Sequence, residues 1–314
     1  MQTEAFYEDQ ARSLLLDHAC RKIATHLSAA EHEFVMLKGA TIADWLYETP
    51  TARTYLDLDV LVSPGSEAAV VEALGHLGFE PLLDPSTRRI LSPEEQPLRD
   101  RFGVVVDLHV GLKGVHRDPE AAWEILKSET ITVNWAGTAV PALAPPARAM
   151  HLALHLAQSG LADEKAAVDL QLGLDRLELA TWRDAASLAD RLDAGEAFAA
   201  GLMLLPAGVD LAGRLSLATP THVETQMRAI AASNSAVALE RTLASASWRE
   251  RVQLIRAQLF PSRRWMQTYQ PAETGSRGRL LRARVLRPLQ ILVRLPSALL
   301  ERRSHRRRLR KAGQ

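Results

Sequence analysis

Cysteine is almost absent from this chain, since Cys20 is the single one in 314 residues. One thiol cannot build an internal disulfide framework or a multi-cysteine zinc site, and it favours a reducing compartment. The first twenty residues carry acids where a signal peptide needs basic residues, and the apolar stretch 14–16 is too short for a signal core. No stretch reaches the roughly 18 apolar residues of a membrane-spanning helix. We therefore expect a cytoplasmic protein.

Acidic residues are nearly missing from the C-terminal segment. Residues 277–314 contain 13 Lys or Arg against the single acid Glu301, a local net charge of +12. Because the whole chain has a net charge of +1, residues 1–276 carry −11. A basic tail on an acidic body predicts an anionic partner for the tail, either a lipid surface or nucleic acid.

Two acids stand out in the stretch 34–62, FVMLKGATIADWLYETPTARTYLDLDVLV. An apolar run ends in Lys38-Gly39, a helical pattern follows, and a strand predicted over residues 54–62 carries Asp57 and Asp59. Side chains two apart on a strand point to the same face, so the two carboxylates would face one site. Like charges held that close need a cation, and Mg²⁺ is the simplest candidate. The alternative is a solvated strand edge.

A third acid, Asp107, lies in the most strand-like run, residues 102–112, FGVVVDLHVGL. Its apolar neighbours make a solvated edge less favourable here. If this strand lies beside that of Asp57 and Asp59, three carboxylates converge on one face. Metal ions need that arrangement to bridge a triphosphate and activate a hydroxyl. His109 shares the face of Asp107 and either borders the site or makes a structural hydrogen bond.

Composition changes near residue 143, where strand patterns give way to segments that are rich in Ala and Leu and helical almost throughout. We predict an α/β (α+β) fold in three parts. Residues 1–142 form a domain with an N-terminal helix and a small mixed β-sheet, residues 143–270 form an α-helical domain, and residues 271–314 form a basic amphipathic tail.

Several motifs together resemble the bacterial nucleotidyltransferase-like family of the DNA polymerase beta nucleotidyltransferase superfamily. They are Leu37-Lys38-Gly39, Arg53, Asp57-Leu58-Asp59-Val60-Leu61-Val62 and Val106-Asp107-Leu108-His109. The resemblance implies a small mixed sheet flanked by helices, with Mg²⁺-dependent transfer of a nucleoside monophosphate from an NTP to an acceptor hydroxyl. The acceptor itself is left open.

The resemblance also implies roles for the three acids. Asp57 and Asp59 would be metal ligands. Asp107 would be the third carboxylate, which ligates one metal and helps to deprotonate the acceptor hydroxyl.

Gly39 directly follows an apolar run, so it is expected at a tight turn or at a close approach of the backbone to a ligand. In the loop that takes the triphosphate, the resemblance implies a nucleotide-binding role for Gly39. The superfamily usually has Gly-Ser there, whereas this chain has Lys38-Gly39-Ala40, so Lys38 would bind the nucleotide with a charge in place of the serine hydroxyl. For Arg53 two interpretations stay open, because an arginine can reach the γ-phosphate or pair with an acid.

Three further residues have open roles. His151 and His155 lie four apart on a predicted helix but lack the Glu of an H-E-x-x-H motif, so a packing or interdomain role is favoured over a metal site. Asp169 matches an aspartate of the family's helical region and would cap a helix or face the cleft.

The tail 277–311 mixes arginines with leucines at helical spacing, a pattern that fits a peripheral anionic membrane surface, while its terminal basic run equally fits RNA phosphates. Pro288 and Pro296 are expected to break or kink a helix here. For the whole chain, the alternative to an enzyme is a catalytically silent nucleotide- or protein-binding regulator, including a toxin–antitoxin component.

Overall fold

The computed structural model describes residues 2–83, 88, 93–220, 247–260, 266 and 277–312. The strands are β1 (Val35–Met36), β2 (Leu58–Leu61), β3 (Glu80–Pro81), β4 (Glu95–Arg99), β5 (Val105–His109), β6 (Thr130–Trp135) and β7 (Thr138–Leu143). The helices are α1 (Gln2–Ala29), α2 (Ala40–Leu46), α3 (Glu67–His76), α4 (Pro119–Ser128), α5 (Pro145–Ser159), α6 (Glu164–Arg176), α7 (Leu179–Arg191), α8 (Gly195–Leu202), α9 (Pro206–Arg214), α10 (Trp248–Leu259) and α11 (Arg277–Ala312).

The seven strands form one mixed sheet in the order β3-β4-β5-β2-β1-β7-β6. Strand β2 is central, antiparallel to β1 and parallel to β5, and β1 is in turn parallel to β7. Hairpins complete both sides, through the antiparallel pairs β4/β5 and β6/β7. The predicted small mixed sheet is confirmed.

Alternating side chains divide the core between the two faces of the sheet. Met36, Leu58 and Val60 pack on one face with residues of α1 and α3. Val35 and Leu61 pack on the other face with helices α4 to α9. Helices on both sides therefore bury the central strands completely, and any polar group on the second face lies between sheet and helices.

Local sequence explains several element boundaries. A turn at Ala136-Gly137 joins β6 to β7, and both residues have positive φ, as a tight hairpin turn requires. Asp118 caps α4 by accepting from the Ala121 backbone N–H at 3.1 Å. Asp163 caps α6 by accepting from the Ala166 backbone N–H at 3.0 Å.

Two strand predictions need correction. The strand predicted over 54–62 begins only at Leu58, because residues 50–52 form a 3-10 turn and the chain then approaches the sheet irregularly. Strand β4 was not predicted, since Pro97 in its middle argues against a strand. The chain accommodates Pro97 because its carbonyl still accepts from the Leu82 backbone N–H at 2.9 Å.

Helices dominate the described residues after 143, as the composition predicted. The core that these helices form is continuous with the sheet, since Leu61 and Phe198 belong to one buried cluster. The boundary placed at residue 270 lies outside the described residues, and the division into domains stays a prediction.

The tail forms one long helix, α11, which runs without interruption through Pro288 and Pro296. The helix therefore does not break at these prolines, and the kink stays a prediction. A proline removes one backbone donor, and the neighbouring turns of a helix can remain bonded. In the described parts of the chain, no helix is both long and apolar enough to cross a membrane.

Candidate active site

Strand alternation places the acids of β2 and β5 on the helix-covered face of the sheet. Leu58 and Val60 point into the core beneath α1 and α3, so Asp59 between them points the other way. In β5, Val106 and Leu108 enter the same core. Asp107 and His109 consequently share the face of Asp59.

The register of the two parallel strands brings these groups together. Asp59 is directly opposite Asp107, and Leu61 is opposite His109. Asp57 precedes β2 by one residue and lines the same cavity. The structure thus confirms that the strands are neighbours and that the three carboxylates converge.

Asp59 is the most buried of the three acids, and two groups of the same chain bond to its Oδ1 atom. Lys38 Nζ donates to it at 2.9 Å, and His109 Nε2 lies 3.1 Å from it. Burial raises the pKa of Asp59, but the charge of Lys38 and the contact with His109 outweigh burial and hold it well below its ordinary value. Asp59 is therefore a carboxylate, paired internally with an ammonium group.

The other two acids are in the opposite electrostatic situation. Burial, followed by the charge of Asp59, raises the pKa of Asp57. Burial, followed by the charges of Asp59 and Asp57, raises the pKa of Asp107 to about 8. Asp107 Oδ1 is buried and has no hydrogen-bond partner among the described residues. The cleft thus holds more negative charge than Lys38 balances.

The cavity has a volume of about 240 Å³, and helix α5 forms its second wall. One face of α5 contributes His151, Leu154, His155 and Gln158, at the spacing of neighbouring helical turns. Three polar residues of the lining were not predicted from the sequence. They are Glu95, Lys113 and Gln158.

Glu95 and Lys113 form an ion pair at the edge of the cavity, 2.8 Å from Oε2 to Nζ. Glu95 was not predicted as a site residue because its strand, β4, was not predicted. Lys113 closely follows the strand of Asp107 in the sequence, and that proximity could have predicted it as a site residue. Gln158 lies seven residues after His151, so a helical projection from His151 would have found it.

The two histidines line the cavity and also pack on each other, with ring centroids 6.4 Å apart. Burial, and then the charge of Lys38, lowers the pKa of His151 to about 3. The same two causes, burial first, hold the pKa of His155 well below its ordinary value. Both imidazoles are therefore neutral at physiological pH and face the acids as neutral hydrogen-bonding groups.

Arg53 lies beneath the cleft, in a buried ion pair with Asp169. Its Nη2 atom is 2.7 Å from Asp169 Oδ2, and its Nε donates to Oδ1 at 2.8 Å. Tyr47 Oη donates to the same Asp169 Oδ1 at 2.7 Å. Of the two interpretations of Arg53, the structure shows pairing with an acid, and the contact with a γ-phosphate stays a prediction.

Gly39 adopts a left-handed conformation, with φ of 69°. A Cβ atom here would lie 2.5 Å from Cη2 of the buried Trp135 ring. Arg53 Nη1 donates to the Gly39 carbonyl at 3.2 Å. The expected tight turn at Gly39 is confirmed. Lys38 lines the cavity, whereas Gly39 and Arg53 are not among its described lining residues, so their contact with nucleotide stays a prediction.

Carboxylate oxygens of Asp57, Asp59 and Asp107 are the donors in the cleft that suit a hard divalent cation. Among the described residues, no group of three or more His, Cys, Asp or Glu side chains is arranged to hold a metal ion as it stands. The bond from Lys38 to Asp59 is one reason, because the ammonium group holds an oxygen that a metal would need.

A mixed sheet that gathers acids from two parallel strands under a helical layer is the arrangement that the sequence resemblance implied for a nucleotidyltransferase. The model of a family described as uncharacterised nucleotidyltransferases matches residues 3–207, well over half of the chain. The chain belongs to this family of nucleotidyltransferases. The matched segment contains every cavity-lining residue named above.

Comparison with curated proteins found no match. Among solved structures, the lincomycin-bound lincosamide antibiotic adenylyltransferase LnuA is 15% identical, with a TM-score of 0.33 over 46% of this chain and 88% of its own. An antigenic nucleotidyltransferase-like protein from Paracoccidioides brasiliensis is 16% identical, with a TM-score of 0.36 over 58% of this chain and 91% of its own. Likenesses this weak carry no argument about substrate.

Proposed function

We propose that the chain transfers a nucleoside monophosphate from an NTP to an acceptor hydroxyl in the cleft between β2, β5 and α5, with Mg²⁺ as cofactor. The observation that carries this proposal is the unpartnered Asp107 Oδ1, buried opposite Asp59. A buried oxygen without a hydrogen bond is costly, and its retention fits a group kept for a ligand.

The three acids fit a magnesium site in their chemistry. They offer hard oxygen ligands, and burial, followed by their mutual repulsion, raises the pKa of both Asp57 and Asp107. A divalent cation would relieve that repulsion and favour their ionised forms. When bound, Mg²⁺ would supply neutralisation of phosphate charge during transfer.

The residues of the chain have distinct parts in this proposal. In its ionised form, Asp107 can accept the proton of the acceptor hydroxyl through Oδ1, which has no hydrogen-bond partner among the described residues. Lys38, which now bonds to Asp59, provides a positive charge for phosphate oxygens. His151, His155 and Gln158 on α5 form the wall opposite the acids, where they can orient a bound molecule through neutral hydrogen bonds.

The test is incubation of the protein with each α-labelled NTP, MgCl₂ and fractionated cell extract, followed by identification of the labelled product. Transfer should require Mg²⁺ and should fail in Asp59→Asn and Asp107→Asn. Transfer that persists in both variants would reject the assignment of the acids. The identity of the labelled product would define the acceptor.

A second candidate, a catalytically silent nucleotide-binding regulator, is favoured by one observation. The ammonium group of Lys38 neutralises Asp59, the most buried of the three acids. Calorimetry with NTP in the presence and absence of Mg²⁺ separates the two candidates. Binding that ignores Mg²⁺, combined with no labelled product, would support the silent regulator, whereas Mg²⁺-dependent binding supports the enzyme.

A further inference from the structure

The long helix α11 exposes a row of large apolar side chains. Each is more than a third exposed, from 37% at Leu295 to 78% at Val293. The set is Leu281, Val285, Leu289, Leu292, Val293, Leu295, Leu299 and Leu300. At about 100° per residue these positions fall within about half of the helix circumference. They form an apolar stripe, interrupted by Arg282, on a helix about 54 Å long.

Helix α10 carries a second, shorter stripe of the same kind. Trp248, Val252 and Ile255 follow one another at helical spacing, and all three are largely exposed, Trp248 by 70%. The two helices touch, and Arg287 Nε donates to the Gln258 carbonyl at 2.8 Å. Apolar exposure is therefore shared by two helices that contact each other. Isolated exposed leucines are ordinary, whereas two stripes indicate an interaction surface.

The charge around the apolar stripe of α11 identifies the kind of partner. Residues 277–314 carry a net charge of +12. Basic residues beside an apolar helix face suit the boundary between anionic headgroups and acyl chains, because the apolar side chains insert while the cations remain at the headgroups. Trp248 fits the same boundary, where indole rings concentrate. From the stripes and the charge, we propose that α10 and α11 bind an anionic lipid bilayer surface.

Two other occupants fit the described surface less well. Nucleic acid would use the arginines but not the apolar stripe, and residues 277–312 contain no Phe, Tyr or Trp for base stacking. A second copy of the chain that paired stripe with stripe would bring two strongly positive tails together. A lipid surface would contact both the basic residues and the apolar stripe. Lipid binding by these helices is independent of the chemistry in the cleft.

The first experiment is co-sedimentation of the full-length protein with vesicles of phosphatidylcholine alone or with about 30% phosphatidylserine. We expect at least about tenfold tighter binding to the anionic vesicles, and weaker binding when NaCl is raised from about 0.1 M to about 0.5 M. Equal binding to both vesicles, or binding to neither, would overturn the proposal.

Two double variants separate insertion from charge. Val285→Glu with Leu292→Glu places two acids seven residues apart within the stripe. Gln290→Glu with Ser297→Glu places two acids at the same spacing on exposed positions outside it. We expect at least about tenfold weaker vesicle binding for the first pair than for the second. An equal loss in both would show that charge alone acts, which contradicts the proposal.

The same protein samples are used to check that the variants fold and to test the two other partners, nucleic acid and a second copy of the chain. Circular dichroism and thermal unfolding should match between the two double variants, since all four positions are exposed. The protein could instead bind a single-stranded RNA more tightly than anionic vesicles, with no effect of Val285→Glu with Leu292→Glu on the RNA binding. That result would show that the partner is nucleic acid and not lipid. If the wild type formed oligomers that this double variant lost, and the wild type did not bind vesicles, the partner would be a second copy of the chain and not lipid. Trp248→Phe should remove part of the fluorescence blue shift that vesicles induce, and an unchanged shift would exclude α10.

Discussion

Arg53 and Asp169 lie 116 residues apart in the sequence and form an ion pair. Two nitrogens of the guanidinium group donate to the carboxylate, and both side chains are almost completely buried. The pair connects two parts of the molecule. Arg53 also bonds to the carbonyl of Gly39 beside the cleft, while Asp169 belongs to α6 of the helical layer. A buried charge pair of this kind fixes the position of the loop after β1 relative to α6.

Removal of one partner of this pair should be strongly destabilising. For Asp169→Asn we expect a loss of about 3 to 5 kcal/mol in the free energy of unfolding, because Arg53 remains buried without a counter-charge. The double variant Arg53→Met with Asp169→Leu should lose less than Asp169→Asn alone. Urea unfolding measures all three proteins. Asp175→Asn, on the exposed side of the same helix, is the control and should change stability by less than about 0.5 kcal/mol.

Neutral variants of the acids in the cleft should lose activity, and of the three only Asp59→Asn, which leaves the ammonium group of Lys38 without its partner, should also lose stability. Asp57→Asn, Asp59→Asn and Asp107→Asn should each lower nucleotidyl transfer at least about a hundredfold. Asp107→Asn should retain or increase thermal stability, because it removes like-charge repulsion with Asp59 and Asp57. Transfer assays and thermal unfolding give the two readouts. The control is Asp184→Asn, on the exposed surface of α7, which should change neither activity nor stability. A large loss of stability in Asp107→Asn would show that Asp107 has a structural role instead.

The conformation of Gly39 gives a steric prediction with a matched control. Gly39→Ala introduces a Cβ atom that would lie 2.5 Å from the Trp135 ring, in addition to strain at positive φ. Gly137 also has positive φ, but nothing lies within 4 Å of its Cβ position. We expect Gly137→Ala to cost about 1 to 2 kcal/mol from backbone strain. Gly39→Ala should cost about 1 to 3 kcal/mol more from overpacking. Similar losses in chemical denaturation would contradict the contact with Trp135.

His151 predicts a dependence of stability on pH. Its pKa falls from 6.5 to about 3 on folding, so the unfolded chain binds this proton more readily than the folded protein. The contribution of His151 to stability is therefore complete above pH 6.5 and is lost progressively as the pH falls toward 3. Between pH 7 and pH 5 this loss amounts to about 2 kcal/mol. His151→Gln should make the decline in unfolding free energy over that interval shallower by the same amount, and an identical slope in both proteins would contradict a buried neutral imidazole.

The sequence predicted the parts of the site that depend on local pattern. Alternation placed Asp57, Asp59 and Asp107 on strand faces, and Gly39 was expected at a tight turn. The adjacency of β2 and β5 was conditional, because pairing between strands far apart in sequence depends on the whole sheet. Strand β4 was missed for a local reason, since Pro97 contradicts strand propensity while the neighbouring strands still accept it.

Contacts across long sequence distances could not be predicted from single segments. Arg53 had two open roles until the fold placed Asp169 beside it, and no periodicity connects residues so far apart. The partner of Lys38 was equally hidden, because it depends on how β1 and β2 align. The face of α5 toward the cleft became identifiable only once the sheet and the helix were packed together.

The bond between Lys38 and Asp59 has a consequence for how the protein is made. An acid buried as deeply as Asp59 would oppose folding if its counter-charge had to come from solution. Here the counter-charge belongs to the same polypeptide, two residues beyond β1, so newly synthesised chains can close the cleft whatever the supply of divalent ions. The fold can therefore form without a bound metal ion.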